Sequence, residues 1–354
     1  MIPAVVLALT LWDAVVRSRH ILELSASYDV AVEAPAVDAK SPTGYAHGLR
    51  SMLVPLASED TAHWVMQTQE MIARGDWRLR HVDYDNAPAG RAVHWAAPFH
   101  WWLGFLAWAD HFATGRPIGM AVEDATLVSG TAMLALLLAG LTPLLNGKFS
   151  GAAAALFALG AICTPAFYHD FLPGRADHHG LATICGLSMV LFMVVGSGDP
   201  QVSGTVAANW ERSQRRRRWT PRHWFVASAV AGGLGLWISA ATIVPVLLGL
   251  GCGIVVASWF GRFSAKVISW VASPELFRIW GWTGGGVSLV AYLIEYFPSH
   301  LGLRLEVNHP LYAVAWAGGG ECLRLVVIAV AGGRAWSKRD WATAGLAAGA
   351  VGLL

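Results

Sequence analysis

The sequence predicts an all-α polytopic membrane protein with about nine transmembrane helices. Three observations predict it. Of 354 residues only 14% are charged, where soluble domains carry about 25%. Hydrophobic residues make up 55%. The apolar positions also gather into runs of about 20 residues, the length needed to cross a bilayer. A net charge of +2, with the basic residues confined to a few short clusters, excludes nucleic acid as a partner. The four cysteines (Cys163, Cys185, Cys252 and Cys322) lie singly in apolar segments, without disulfide or metal-type spacing.

Taken in order, a short apolar segment opens the chain over 2–16, and Arg17 ends it. Long apolar runs follow near 118–146, 150–168, 179–197, 224–240, 242–260, 276–297 and 311–333, and another starts near Trp341. The stretch 224–260 is too long for one crossing, so a break is expected at Ser239-Ala240-Ala241-Thr242. The first run is short, and the last stops at Leu354 within apolar sequence. Both ends therefore read as cut from a longer protein, with the terminal helices truncated.

Orientation follows from Lys and Arg in short loops. Arg212, Arg215, Arg216, Arg217, Arg218 and Arg222 form the strongest cluster. Arg334, Lys338 and Arg339 form a second, and Lys148 and the pair Arg262 and Lys266 mark two more turns. Placing all of them in the cytoplasm gives a self-consistent count of crossings. Three segments then fall outside: 18–117, 169–179 and 298–310. Arg17 and Arg19 fit that scheme poorly. Segment 98–113 is short, rich in Trp, and carries His100, Asp110 and His111, so it is expected to be an interfacial helix.

The outer segments collect acids and imidazoles. Glu59 and Asp60 open an expected helix over 61–73, where Asp60 reads either as an N-cap or as a functional acid. Asp83, Asp85 and Asn86 lie in a turn-rich stretch that turn chemistry alone explains. Pro173-Gly-Arg175-Ala-Asp177-His178-His179-Gly180 is sharper, packing a guanidinium, a carboxylate and two imidazoles into five residues between apolar helices. Asp177 and His179, at i and i+2, converge on one cation if the loop is extended or tightly turned, and that donor set suits Mn²⁺, Mg²⁺ or Zn²⁺. The last outer loop carries Arg304, Glu306 and His309, with Glu295 just before it. Glu321 and Arg324 are spaced to pair along one helix.

Three stretches resemble the catalytic subunit of oligosaccharyltransferase, above all its archaeal single-subunit form, within the C superfamily of membrane glycosyltransferases. They are Glu59-Asp60-Thr-Ala-His63-Trp, then Asp83-Tyr-Asp-Asn-Ala-Pro88-Ala-Gly90-Arg-Ala-Val-His94-Trp95-Ala-Ala-Pro98, then Gly174-Arg-Ala-Asp177-His178-His179. The likeness covers about residues 50–200.

It implies one transmembrane glycosyltransferase domain over 1–354, lacking the family's soluble C-terminal domain. It also implies transfer of a glycan from a polyprenyl phosphate or diphosphate donor to asparagine of a protein or peptide. By the same resemblance Asp60, Asp177 and His179 hold a divalent metal, Mn²⁺ or Mg²⁺. Asp60 and Glu306 handle the acceptor, with Glu295 the alternative late acid. His178, Arg175 and Arg304 are the donor-phosphate candidates, with Arg91 beside them; His94, Glu59 and His309 are further site candidates.

The implied location is the inner or plasma membrane, with the site facing the periplasm or exterior. Two rival functions stay open. One is a polyprenyl-phosphate-sugar transferase acting on a protein hydroxyl, a lipid or a polysaccharide, for which the adjacent acids Glu59 and Asp60 are apt. The other is a non-enzymatic transporter, against which stand the absence of an internal repeat and the placing of most acids in outer loops.

Overall fold

A computed structural model describes residues 1–29, 38, 40–41, 59–197, 219–261, 273–298, 305–332 and 337–352. The expected Arg304 and most of the basic clusters at 212–218, 262–266 and 334 lie outside them. The regular structure described is helical apart from one pair of two-residue strands, and the chain divides into two compact units, Met1–Gly180 and Leu181–Leu354.

In the first unit the helices are α1 (Ile2–Asp29), α2 (Glu59–Arg74), α3 (Pro98–Thr114), α4 (Ile118–Lys148), α5 (Gly151–Cys163) and the single turn α6 (Pro165–Tyr168). Between α2 and α3 an antiparallel hairpin pairs β1 (His81–Val82) with β2 (Arg91–Ala92), His81 opposite Ala92. Helix α4 is central, packed by α1, α2, α3 and α5. The first helix runs well past the expected end at Val16. Arg17 does not stop it, because its Nε donates to Asp13 Oδ2 one turn back (2.7 Å), and the Tyr168 hydroxyl donates to the same oxygen (2.7 Å). The pairing also accounts for an arginine at a place the basic-loop scheme fits poorly.

The expected span 150–168 is broken. α5 ends at Cys163, Thr164 is extended, and the helical stretch Pro165–Phe171 that opens with α6 departs at 73°. Pro165 is the cause: it disfavours helical backbone in the residue before it and has no N–H to continue the ladder.

Helix α7 (His178–Ser197) begins at the end of the first unit and runs into the second. There follow α8 (Pro221–Ile238), α9 (Ala240–Gly261), α10 (Glu275–Glu295), α11 (Pro310–Gly332) and α12 (Lys338–Gly352). The expected break in 224–260 falls at Ser239, which is extended. The core here gathers Met189, Phe225, Leu236, Ile243, Phe277, Trp280 and Trp316. Between membrane-spanning helices such a core is held by close van der Waals packing and not by removal from water. Ser228 donates to the Met189 carbonyl (2.7 Å) and accepts from the Trp280 indole (3.1 Å), so the Ser228 hydroxyl and the Trp280 indole are paired within this core. The expected Glu321–Arg324 pair forms (2.7 Å), and Arg278 from α10 adds a two-pronged contact to the same carboxylate.

Among the described residues α4, α7, α9 and α11 are long and apolar enough to cross a membrane, and α5 with α6 make a fifth if the bent pair is one span. Helices α8, α10 and α12 form where expected and α1 is longer than expected, but all four fall short in length or apolarity of that measure.

Candidate functional site

The site is built on the loop that joins α6 to α7, and α4 fixes that loop at two places. Gly130 of α4 lies under the backbone of Phe171: a Cβ there would meet the Phe171 carbonyl oxygen at 2.6 Å. Four residues before it, the Thr126 carbonyl accepts from the N–H of Gly174 (3.1 Å). Gly174 adopts φ +74°, a conformation that favours glycine. The loop is thereby clamped to a long helix before it reaches its acid and imidazoles.

Asp177 is buried, with 2% of its surface exposed. Its Oδ2 accepts a hydrogen bond from His179 Nδ1 (2.8 Å), and its Oδ1 lies 2.7 Å from His178 Nδ1. The second contact lacks hydrogen-bond alignment, so both of those buried atoms have no hydrogen-bond partner among the described residues. Burial alone would raise the Asp177 carboxyl; the contacts of His178 and His179 together outweigh it and hold the group far below the usual carboxylate range. Ligand atoms of Asp177, His178 and His179 all lie within 4.8 Å of one another. One carboxylate, two imidazoles and a pair of unsatisfied buried atoms make a donor set that fits a divalent cation, with Mn²⁺ or Zn²⁺ suiting the imidazoles better than Mg²⁺.

Beside the cluster, Arg175 directs Nη1 to His169 Nε2 (3.0 Å) and Nη2 towards Asp170 (3.9 Å). Asp60 is exposed in the first turn of α2, inside the helix rather than capping it, where the helix dipole favours an acid. It is not a member of the three-residue cluster. Its face of α2 does reach that cluster. Trp64, one turn on at i+4, is 1% exposed and packs its ring 5.3 Å from that of His178.

Trp64 is the residue the sequence reading missed, although its i+4 spacing from Asp60 was visible. Its other neighbours are Trp95 (5.5 Å), Phe99 (4.9 Å) and His100 (4.5 Å). Thr68 spends its hydroxyl proton on the Trp64 carbonyl (2.7 Å), so the 2.9 Å contact with His100 is a donation from the imidazole Nδ1–H. Burial, with a smaller push from His178, takes the His100 pKa down to about 3, and the ring is neutral near pH 7.

The remaining candidates are more scattered. Glu59 is the first residue of α2. His94 is partly buried, its ring 5.2 Å from Trp95. Arg91 is exposed and bonds Asp85 (3.1 Å), which fixes it to the hairpin loop. In the second unit Glu306 is exposed, while Glu295 is fully buried and accepts from the Trp237 indole (2.7 Å). His309 takes the Leu311 N–H on Nδ1 (3.2 Å), and partial burial lowers its pKa.

No family model matches the chain, and no curated protein does. Two solved structures are similar in fold. One is the archaeal oligosaccharyltransferase AglB from Archaeoglobus fulgidus in complex with an inhibitory peptide and a dolichol-phosphate. At 12% identity and a TM-score of 0.56, the match covers 95% of this chain and 37% of that one. The other is the Archaeoglobus fulgidus oligosaccharyltransferase in its apo form, at 13% identity and a TM-score of 0.53, covering 88% and 33%. The chain thus spans about a third of the length of the structures it matches, and across nearly all of its own length its fold is similar to that of an oligosaccharyltransferase.

Proposed function

We propose that this chain is the membrane part of a metal-dependent glycosyltransferase. It moves a glycan from a polyprenyl phosphate or diphosphate carrier to an asparagine side chain, on the periplasmic or exterior side of an inner or plasma membrane. The observation that carries the reading is the clamped loop that brings Asp177, His178 and His179 together in a fold similar to an oligosaccharyltransferase. The AglB neighbour is complexed with a dolichol-phosphate and a peptide, and ligands of those two classes are proposed here.

In the reaction the C1–oxygen bond to the carrier phosphate breaks and a C1–nitrogen bond to the asparagine amide forms. The amide gives up a proton to a carboxylate. A bound Mn²⁺ or Mg²⁺ supplies neutralising charge for the departing phosphate. Asp177, ionised and buried, holds the two imidazoles in place and with His179 offers the ligand set. Asp60, on the face of α2 that packs against His178, is the further metal ligand and one of two acids for the acceptor amide; Glu306 is the other. Arg175, its guanidinium steadied by His169, meets the carrier phosphate together with His178, and Arg304 is proposed for the same task. Glu59, His94 and His309 are proposed as supporting residues of the site.

The test is transfer of labelled lipid-linked oligosaccharide to an Asn-x-Thr peptide by the full chain, with and without Mn²⁺. Cation-dependent glycopeptide is expected. Donor turnover with no glycopeptide refutes the asparagine acceptor and points to a hydroxyl, lipid or polysaccharide acceptor. Inertness towards every lipid-linked sugar refutes the enzyme.

A further inference from the structure

A run of rings leads outward from the Asp177 cluster. From His178 it passes to Trp64 at 5.3 Å. Trp95 follows at 5.5 Å, stacked on Trp64 with planes 28° apart, and then His63 edge-on at 5.8 Å. Tyr84 ends the run, stacked on His63 at 6.4 Å. Exposure rises along it: Trp64 is buried, Trp95 and His63 are partly exposed, and Tyr84 is 43% exposed. Polar atoms sit along it. Thr61, 5% exposed and sharing a face of α2 with Trp64, buries a hydroxyl without a hydrogen-bond partner among the described residues, and so does His63 with Nδ1. A core built only for packing has its buried polar atoms paired and its rings covered. This one has an unmet hydroxyl at Thr61, on the face of Trp64, an unmet Nδ1 at His63, next to the outermost ring, and bare ring surface at Tyr84.

We propose that Trp95, His63 and Tyr84 form a saccharide shelf that takes the first sugars of the lipid-linked donor, with Thr61 and His63 bonding their hydroxyls. The inference rests on the transferase reading and deepens it. A pyranose offers an apolar C–H face with a polar rim, which matches flat rings flanked by a few fixed polar groups. The first sugar is bonded directly to the carrier phosphate. If the phosphate is held at the Asp177 cluster, that sugar must lie beside it, and the rings begin there.

The test compares binding of bare polyprenyl diphosphate and of the same lipid carrying N-acetylglucosamine, glucose or mannose, by the full chain in detergent, with an Asn-x-Thr peptide in parallel. Wild type is expected to bind at least one sugar-bearing lipid more tightly than the bare lipid. Tyr84→Ala and Trp95→Ala are each expected to remove about three- to tenfold of that difference, the weight of one aromatic contact, with bare-lipid affinity unchanged. Tyr84→Phe and Trp95→Phe, which keep a ring, are expected to retain most of it. The shelf is refuted if no sugar-bearing lipid outbinds the bare lipid, if the alanine variants weaken both lipids alike, or if they weaken only the peptide, which would make the rings an acceptor surface. Wild type that binds neither kind of lipid refutes the transferase reading itself.

Discussion

Gly130→Ala tests how the site is held without touching any of its polar groups. The added Cβ would lie 2.6, 2.7 and 2.9 Å from the carbonyl oxygen, carbonyl carbon and Cα of Phe171. All three are backbone atoms, so no side chain can rotate away. To reach ordinary contact, which starts at 3.4 Å, the loop must retreat by about 0.8 Å. Two opposing terms set the stability. Overpacking costs about 1–3 kcal/mol, while alanine in place of glycine within a helix returns about 1 kcal/mol. The net loss is therefore small, on the order of 1 kcal/mol. The functional loss is expected to be larger, because misplacing reacting groups by about 1 Å costs on the order of 10²-fold in rate. The assay pairs the thermal midpoint in detergent with Mn²⁺ affinity and transfer rate. A folded Gly130→Ala protein with wild-type Mn²⁺ affinity and rate would refute the claim that α4 positions the loop.

Trp64 provides a second handle. Trp64→Ala removes a fully buried ring, is expected to cost about 3–5 kcal/mol of stability, and should weaken Mn²⁺ binding by freeing His178; Trp64→Phe should restore most of the affinity, and equal weakening in both variants would count against ring packing as the cause. His100 predicts an acid limb. Its pKa falls from 6.5 to about 3 on folding, so the unfolded chain binds the extra proton. The stability it contributes is full above pH 6.5 and is lost as pH falls towards 3, by about 1.4 kcal/mol per unit. In thermal melts across that window, His100→Gln should show a shallower acid decline than wild type; parallel curves would contradict the assignment.

Helix positions were legible wherever an apolar run was long. The expected 118–146, 179–197 and 276–297 became Ile118–Lys148, His178–Ser197 and Glu275–Glu295, because their length leaves little competing structure. The break at Ser239 was legible for the same reason. Misses arose where a local contact overrode the pattern. Arg17 looked like a terminus but is paired with Asp13 inside a longer helix. Pro165 was in plain view, yet an apolar run on both sides hid its effect.

In the site, Asp177, His178 and His179 were legible because their spacing is local. Trp64, His100 and Thr68 were not, since they come together only when α2 and α3 pack. The hairpin of β1 and β2 was likewise hidden, since two-residue strands leave no period to read. Glu306 and Glu295 remained alternatives in the sequence; the structure separates them by environment, one exposed and the other fully buried against Trp237.

The central claim is that Asp177, His178 and His179 bind a divalent cation. Titration of Mn²⁺ into the full chain, followed by the electron paramagnetic resonance of the free ion, tests it most directly. Wild type should take up one ion per chain. Asp177→Asn should lose it at a cost of about 1–3 kcal/mol in stability, and His179→Ala should bind more weakly. Uptake by Asp177→Asn with wild-type affinity and stoichiometry would contradict the account.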